Sequence, residues 1–415
     1  MATAPHLAQL ALTTVTADGA AHFLAATTRG FHQDYDHDAA AAARGVQEPE
    51  RCFGFAVDGR WVATCGSYTR VMTVPGGTVP TAAVTFVTVN PGYRRRGLLT
   101  AMMTSQLAGL AEGGEPVALL WASEPSIYGR YGYGPATRIL ELGGSTRGTA
   151  FRPDVDLGPG SVGEVDAAEC RRAVEPLHAR LLPDRPGALD RPPAWWDAVF
   201  HDHPSRRHGA AAARYALHFD AAGRPDGYLT FRLSSTGSAD PGPGHSVRVA
   251  ALDASDLAGY ARLWRFALDL DLVRCFEGPA APDEPLRHLV ADPASVRSTG
   301  ADGTYVRLVD LPRALEARRY AVELDLVLGV RDALLPQNAG SFRLQGGPDG
   351  ATVRRVSTSP DVELDVRELG ALYLGGVPAP ELHRAGLLQE RSPGAVAALG
   401  FGFSSARLPF CRDYF

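Results

Sequence analysis

Six consecutive positions, Val84, Thr85, Phe86, Val87, Thr88 and Val89, are β-branched or aromatic, and the run predicts a buried strand. Asn90-Pro91-Gly92 ends it, because proline cannot donate to a ladder and Asn and Gly tolerate turn geometry. Beyond the turn, Leu98, Leu99, Met102, Met103, Leu107 and Leu110 recur at helical spacing. Between strand and helix stands Arg94-Arg95-Arg96-Gly97. A helix start offers unsatisfied N–H groups and a positive dipole end. Gly97, with no Cβ, lets a ligand approach the backbone. Three arginines add cationic charge, so the turn suits a pyrophosphate.

Upstream, residues 18–46 are alanine-rich and read as helix, with Phe23, Leu24, Phe31 and Tyr35 on its inner face. Asp34, Asp36, His37 and Asp38 cluster at its far end; they read as a solvated face, or alternatively as a lure for a cationic amine. Alternation over 52–57 and 61–69 predicts a hairpin turned at Asp58-Gly59, and a further strand starts at Val71 and breaks at Pro75. Downstream, residues 117–121 predict a short strand, followed by Ser123-Glu124-Pro125-Ser126-Ile127-Tyr128 and a run of alternating glycines and tyrosines.

The pattern changes near residue 149, where Pro153, Pro159, Pro183, Pro186, Pro192 and Pro193 punctuate the chain. Trp195-Trp196 reads as helix after the double proline. Residues 213–219 and 227–233 form a predicted hairpin, 247–252 a strand and 255–272 a helix, repeating the strand, strand, helix order without an arginine turn. From 301 onward, strands are predicted over 324–330, 340–344 and 353–357, with a strand running into a helix after Pro360.

Composition narrows the class. A chain of 415 residues exceeds one ordinary core, so two or three domains are expected. A hydrophobic content of 45% with 21% charged residues belongs to a soluble globular protein. The net charge of −5 argues against a nucleic-acid partner. No apolar run is long enough to span a bilayer, and the first residues lack a basic leader, so a cytoplasmic protein without a membrane partner is expected. Cys52, Cys65, Cys170, Cys275 and Cys411 are scattered without a C-x-x-C pair, and no metal signature appears, so neither disulfides nor a metal is expected. All 41 basic residues are arginine; there is no lysine.

The motif Arg94-Arg95-Arg96-Gly97-Leu98-Leu99 resembles the acyl-CoA loop of the GNAT N-acetyltransferases, Arg/Gln-x-x-Gly-x-Gly/Ala, with Leu99 where Gly or Ala is usual. It is closer to the Eis (enhanced intracellular survival) branch, where RRRGLL is typical. Tyr128-Gly129-Arg130-Tyr131-Gly132-Tyr133 resembles the Tyr-x-x-x-Gly-Phe element of the same family. The resemblance implies an α+β architecture: two tandem GNAT-like domains, 1–148 catalytic and 149–300 without the CoA motif, then a sterol-carrier-protein-like domain at 301–415.

It further implies acetyl-CoA as co-substrate. Val87, Thr88 and Val89 would bind the pantetheine arm on a strand splayed from its neighbour. Arg95, Arg96, Gly97, Leu98, Leu99 and Thr100 would cradle the pyrophosphate, with Ser123 and Glu124 touching the cofactor. Tyr128 takes the general-acid position, and the α-carboxylate of Phe415, at the end of an unusually aromatic tail, takes that of the general base. An aliphatic ammonium of pKa near ~10.4 needs such a base at neutral pH. A carboxylate near ~3.5 becomes a better one when buried. Tyr414 stands where an acidic residue occurs in some relatives. The implied partner is a small-molecule amine such as an aminoglycoside, and the implied assembly a homo-hexamer. The alternatives are a peptide or protein lysine acetyltransferase, and a non-catalytic acyl-CoA or lipid-binding regulator.

Overall fold

The computed structural model describes residues 11–207, 209–236 and 244–415. The N-terminal decamer on which the leader reading rests lies outside them. The chain divides into two compact units. One comprises the described part of Met1–Thr137 together with Asp184–Asp190 and Gly303–Phe415; the other holds Arg138–Pro183 and Arg191–Asp302.

In the first unit, strand β1 (Leu12–Thr14) precedes helices α1 (Ala20–Gly30) and α2 (His37–Ala42). The single helix expected over 18–46 is thus two. His32 takes a left-handed φ of 59°, and the Asp36 carboxylate caps α2 by accepting the Asp38 and Ala39 N–H groups. Phe23 is buried at 1% exposure, whereas Phe31, expected on the inner face, is exposed at 39%. Strands β2 (Cys52–Val57) and β3 (Arg60–Val74) meet at Asp58-Gly59, both with positive φ, as hairpin twist demands. The two strands expected from 61 and 71 are one continuous strand of 15 residues. It pairs along its length with β4 (Gly77–Val89). Helix α3 (Leu98–Gly113) returns the chain to β5 (Val117–Trp121), parallel to β4. Helix α4 (Pro125–Tyr128) and the two-residue strand β6 (Gly134–Pro135) follow.

The second unit begins with β7 (Arg138–Ser145), then β8 (Ser161–Val165), α5 (Ala167–Leu181) and α6 (Pro193–Phe200). Helix α5 had no counterpart in the sequence reading; it carries Pro176 in its interior, a residue that ordinarily ends helices. Strands β9 (Arg214–Phe219), β10 (Pro225–Thr236) and β11 (Gly244–Ala254) lead into α7 (Leu257–Leu268). Strand β12 (Val273–Ala280), α8 (Leu286–Leu289) and β13 (Arg297–Asp302) complete it. The sheet order is β13-β7-β12-β11-β10-β9-β8. As in the first unit, an antiparallel hairpin is followed by a helix and a parallel strand.

The chain re-enters the first unit as β14 (Thr304–Leu308), which lies between β5 and β6 in the first sheet, order β1-β2-β3-β4-β5-β14-β6. Sheet membership therefore crosses the divisions drawn at 148 and 300. Strand β7 precedes the first division yet joins the second sheet, and β14 follows the second division yet joins the first. The Gly303 N–H donates to the Thr137 carbonyl at 2.9 Å, so the points of departure and return are hydrogen-bonded.

Helix α9 (Leu311–Glu316) leads to the last sheet, β17-β16-β15-β18-β19, formed by β15 (Leu324–Arg331), β16 (Gly340–Gly347), β17 (Gly350–Val356), β18 (Val362–Asp365) and β19 (Leu388–Glu390). Helices α10 (Val366–Leu372), α11 (Ala379–Arg384) and α12 (Ala395–Phe403) cover it. A buried polar knot fastens this part to β14. The Arg307 guanidinium donates to both oxygens of Asp332 at 2.7–2.8 Å, and the Asn338 amide donates to the same carboxylate at 3.1 Å. Removing either charge would strand the other away from water, at a cost of about 3–5 kcal/mol.

Candidate active site

The site grows out of a flaw in the β4 ladder. Gly66 pairs with Thr85 and Thr64 with Thr88, so Phe86 and Val87 oppose the single residue Cys65. This bulge puts Phe86 at φ 60°, a strained value for a bulky residue. Its carbonyl is held by the Thr64 hydroxyl at 2.7 Å, and its ring meets Phe23 and Tyr68 edge-on. On the other side, the parallel ladder with β5 runs from Thr81↔Val117 to Val84↔Leu120 and stops. The next β5 residue, Trp121, keeps its pairing with Thr304 of β14 on the other edge but has no β4 partner. The strands part, and Val87, Thr88 and Val89 line the opening with no β5 residue opposite them.

At the end of β4, the Asn90 carboxamide accepts the Gly92 N–H at 3.0 Å and fixes the turn. Arg96 lies over the Tyr93 ring at 5.3 Å and donates to the Gly92 carbonyl at 3.2 Å. Arg95, at φ 60°, is exposed and makes no hydrogen bond or ion pair among the described residues. Gly97 has φ 79°, where any side chain would strain the backbone. Helix α3 then starts with no side-chain cap and no acidic residue in its first turn. The first N–H groups of such a helix lack intrahelical acceptors, so Leu98, Leu99 and Thr100 offer donors beside two arginines. In the second unit the matching helix, α7, is closed by Asp256, whose carboxylate accepts the Gly259 N–H at 2.8 Å. An acidic cap there disfavours an anion at that helix start.

Tyr128 ends α4 and is buried at 7% exposure. Burial raises its pKa, with Cys65, Tyr131 and Glu124 adding to the effect, so the hydroxyl stays protonated. It makes no hydrogen bond within the described residues. Tyr131 bonds instead to the Thr100 hydroxyl at 3.2 Å, tying the tyrosine loop to the start of α3. Tyr133 is wholly buried, and its ring lies 6.1 Å from that of Tyr128. Tyr128, Leu98 and the bulge partner Cys65 belong to one apolar cluster, and Val87, Val89 and Leu99 border it. Ser123 and Glu124, in the link from β5 to α4, are exposed.

The tail lies against the same sheet. The Phe410 N–H donates to the Pro186 carbonyl at 2.9 Å, and Phe410, Cys411 and Asp413 are buried. The Trp121 indole N–H donates to the Asp413 carbonyl at 2.8 Å. Tyr414 is 76% exposed, its ring 5.5 Å from that of Trp121. Phe415 is half-buried. Among the described residues no group of His, Cys, Asp and Glu is disposed to hold a metal ion.

Two features went unseen in the sequence. Helix α10 rests on the tyrosine loop: a Cβ on Gly134 would fall 2.0 Å from the Arg367 carbonyl oxygen, so this glycine answers to close approach rather than turn geometry. Tyr305 of β14 joins the cluster around Tyr128. Neither residue could be placed there without knowing that the chain after 303 returns to this sheet.

Comparison with known proteins gives a consistent result. Family models match at residues 12–136 and 187–308, both described as acetyltransferase (GNAT) domains, and at 311–412, a sterol carrier protein domain. An uncharacterized N-acetyltransferase of Streptomyces avermitilis is 40% identical over 375 residues, 88% of this chain and 89% of that one. N-acetyltransferase Eis of Mycobacterium tuberculosis is 36% identical over 342 residues, covering 80% and 81%. The crystal structure of Eis1 from Mycobacterium abscessus superposes with a TM-score of 0.84 at 34% identity, covering 98% of this chain and all of that one.

Proposed function

Because this chain belongs to the Eis family of GNAT N-acetyltransferases, we propose that it transfers acetyl from acetyl-CoA to a primary amine of a small polyamine-like molecule, with aminoglycosides as the acceptor class, by direct attack in a ternary complex. One observation carries the reading: the chain's last residues are fastened to Trp121, where β4 and β5 part.

Bound acetyl-CoA supplies the thioester acetyl group. The rest falls to the chain's own residues. Arg95, Arg96 and the α3 first turn, from Gly97 through Leu98, Leu99 and Thr100, hold the pyrophosphate by charge and N–H donors. Val87, Thr88 and Val89 hold the pantetheine arm along the open edge of β4, and Ser123 and Glu124 border it. The terminal carboxylate of Phe415 takes the proton that an ammonium must lose before it can attack. Tyr128, kept protonated by burial and unengaged by protein acceptors, gives a proton to the departing sulfur. No cysteine is required as nucleophile; burial pushes the Cys52 and Cys170 thiols up to about 12, where they are inert.

The second GNAT domain, with its acidic cap on α7, serves without cofactor in this reading. Assembly as a homo-hexamer, resting on the family resemblance, belongs to the same proposal. So does residence in the cytoplasm, which five free cysteines suit.

A panel of amines assayed by free-thiol release tests the reaction, with a chain extended by one residue after Phe415 as control. Turnover of polyamine-like acceptors and its loss in the extended chain are expected. Turnover confined to lysine peptides would move the acceptor class to proteins. Acetyl-CoA binding without turnover on any amine would leave a binding module.

A further inference from the structure

We propose that Trp121 is the positioning residue for the chain's terminal carboxylate, setting the proposed base at the mouth of the β4–β5 opening. The inference rests on the reading of Phe415 as base, and adds the residue that places it. Trp121 is the first β5 residue beyond the last β4 pair, Val84↔Leu120, and it is held in place by pairing with Thr304 of β14. Its backbone is therefore set by the sheet while its side chain stands at the parting of the strands. That side chain grips the tail twice. The indole N–H donates to the Asp413 carbonyl at 2.8 Å, and the ring supports Tyr414 at 5.5 Å with 44° between the planes.

The reach from this grip is short. An extended chain spans at most ~3.5 Å per residue, so the Phe415 carboxylate lies within ~7 Å of the anchored carbonyl. A free chain end explores a far larger volume, and a base that must meet one amine proton loses effectiveness with every misplaced ångström. Tyr414 is otherwise exposed, so its contact with Trp121 restrains the residue next to the base without burying it. Indole suits both tasks: it donates one hydrogen bond and presents a broad apolar face.

The test compares Trp121→Phe with the natural sequence, each with its normal end and with one residue added after Phe415. Phenylalanine keeps an aromatic ring and removes the N–H donor. In the naturally ended chain, kcat should fall about 2- to 12-fold, the worth of one ordinary hydrogen bond, while KM for acetyl-CoA stays constant. Carboxypeptidase should release Phe415 faster from the variant, read by intact mass in the absence of any substrate. In the extended chain, the substitution should cost nothing more. Tyr414→Ala, at an exposed ring, provides a second variant that leaves the core untouched and should also speed release. Unchanged kcat with unchanged release would overturn the proposal. So would an equal loss in the extended chain, which marks a merely structural role. If the extended chain itself turns over normally, the base reading falls and the catalytic role of Trp121 falls with it; release rates then still report the anchor separately.

Discussion

At Tyr128 a phenol sits at 7% exposure, its pKa raised chiefly by burial, with no acceptor on its hydroxyl among the described residues. The sign of that shift fixes its behaviour. A raised pKa keeps the acid form intact at every pH below the ordinary phenol value of about 10, so Tyr128 contributes no alkaline limb in the working range. Tyr128→Phe should lower kcat by ~10²–10⁴, the usual worth of general acid–base catalysis, with KM for acetyl-CoA unchanged. Steady-state kinetics from pH 6 to 9.5 checks both; unaltered turnover would remove Tyr128 from the mechanism. The same linkage acts on folding. Tyr128, Tyr133, Tyr320 and Tyr373 are all buried with raised pKa values, so the unfolded chain releases protons first and stability declines above the ordinary phenol value.

The strand, turn and helix from β4 to α3 form the element on which the cofactor reading depends. Replacing Arg95 and Arg96 together by alanine should raise KM for acetyl-CoA while leaving kcat at saturation nearly intact, because phosphate contacts remote from the acetyl group bind ground and transition states alike. Affinity for acetyl-CoA should fall with rising salt in the unsubstituted protein and fall less steeply in the double variant, and an unaltered KM would refute the phosphate assignment. This element was legible in the chain because everything that shapes it is local: β-branched residues, Asn90-Pro91, Gly97 and the leucines all act within one turn of their neighbours. The hairpin at Asp58-Gly59 was legible for the same reason. Helix α5 was not, because interior Pro176 spoke against a helix that Asp166 caps and Cys170, Val174 and Leu177 bury. The place of strand β14 between β5 and β6 was not legible, since nothing local says which sheet a strand will join. The constraint on Gly134 was not legible either, because α10, which lies on it, comes more than 200 residues later in the chain. Trp121 carried no signal at all; its partner is 292 positions away in the chain.

Across the whole molecule the 41 basic side chains are all guanidinium groups, so no lysine ammonium exists for the chain to acetylate. Prolonged incubation with acetyl-CoA should leave the intact mass unchanged or raised by a single acetyl at the α-amino group; several additions would contradict this. The largest distances in the fold lie in its connectivity. Residues Asp184–Asp190 belong with the first unit, where Asp190 pairs with the fully buried Arg70 at 3.2 Å. Deleting everything between Thr137 and Gly303 would therefore remove the Asp190 carboxylate from the buried Arg70.

The seat of β14 also sets a timetable for synthesis. When β5 and β6 leave the ribosome, the slot between them has no occupant until roughly 170 further residues have been added, which at ~5–20 residues per second is on the order of 10–35 s. For that interval the nascent chain carries an open strand edge beside Leu119 and Leu120, of the kind that recruits chaperones or neighbouring chains. The strands of the first sheet up to β6 are translated first, yet that sheet cannot be completed until most of the message has been read.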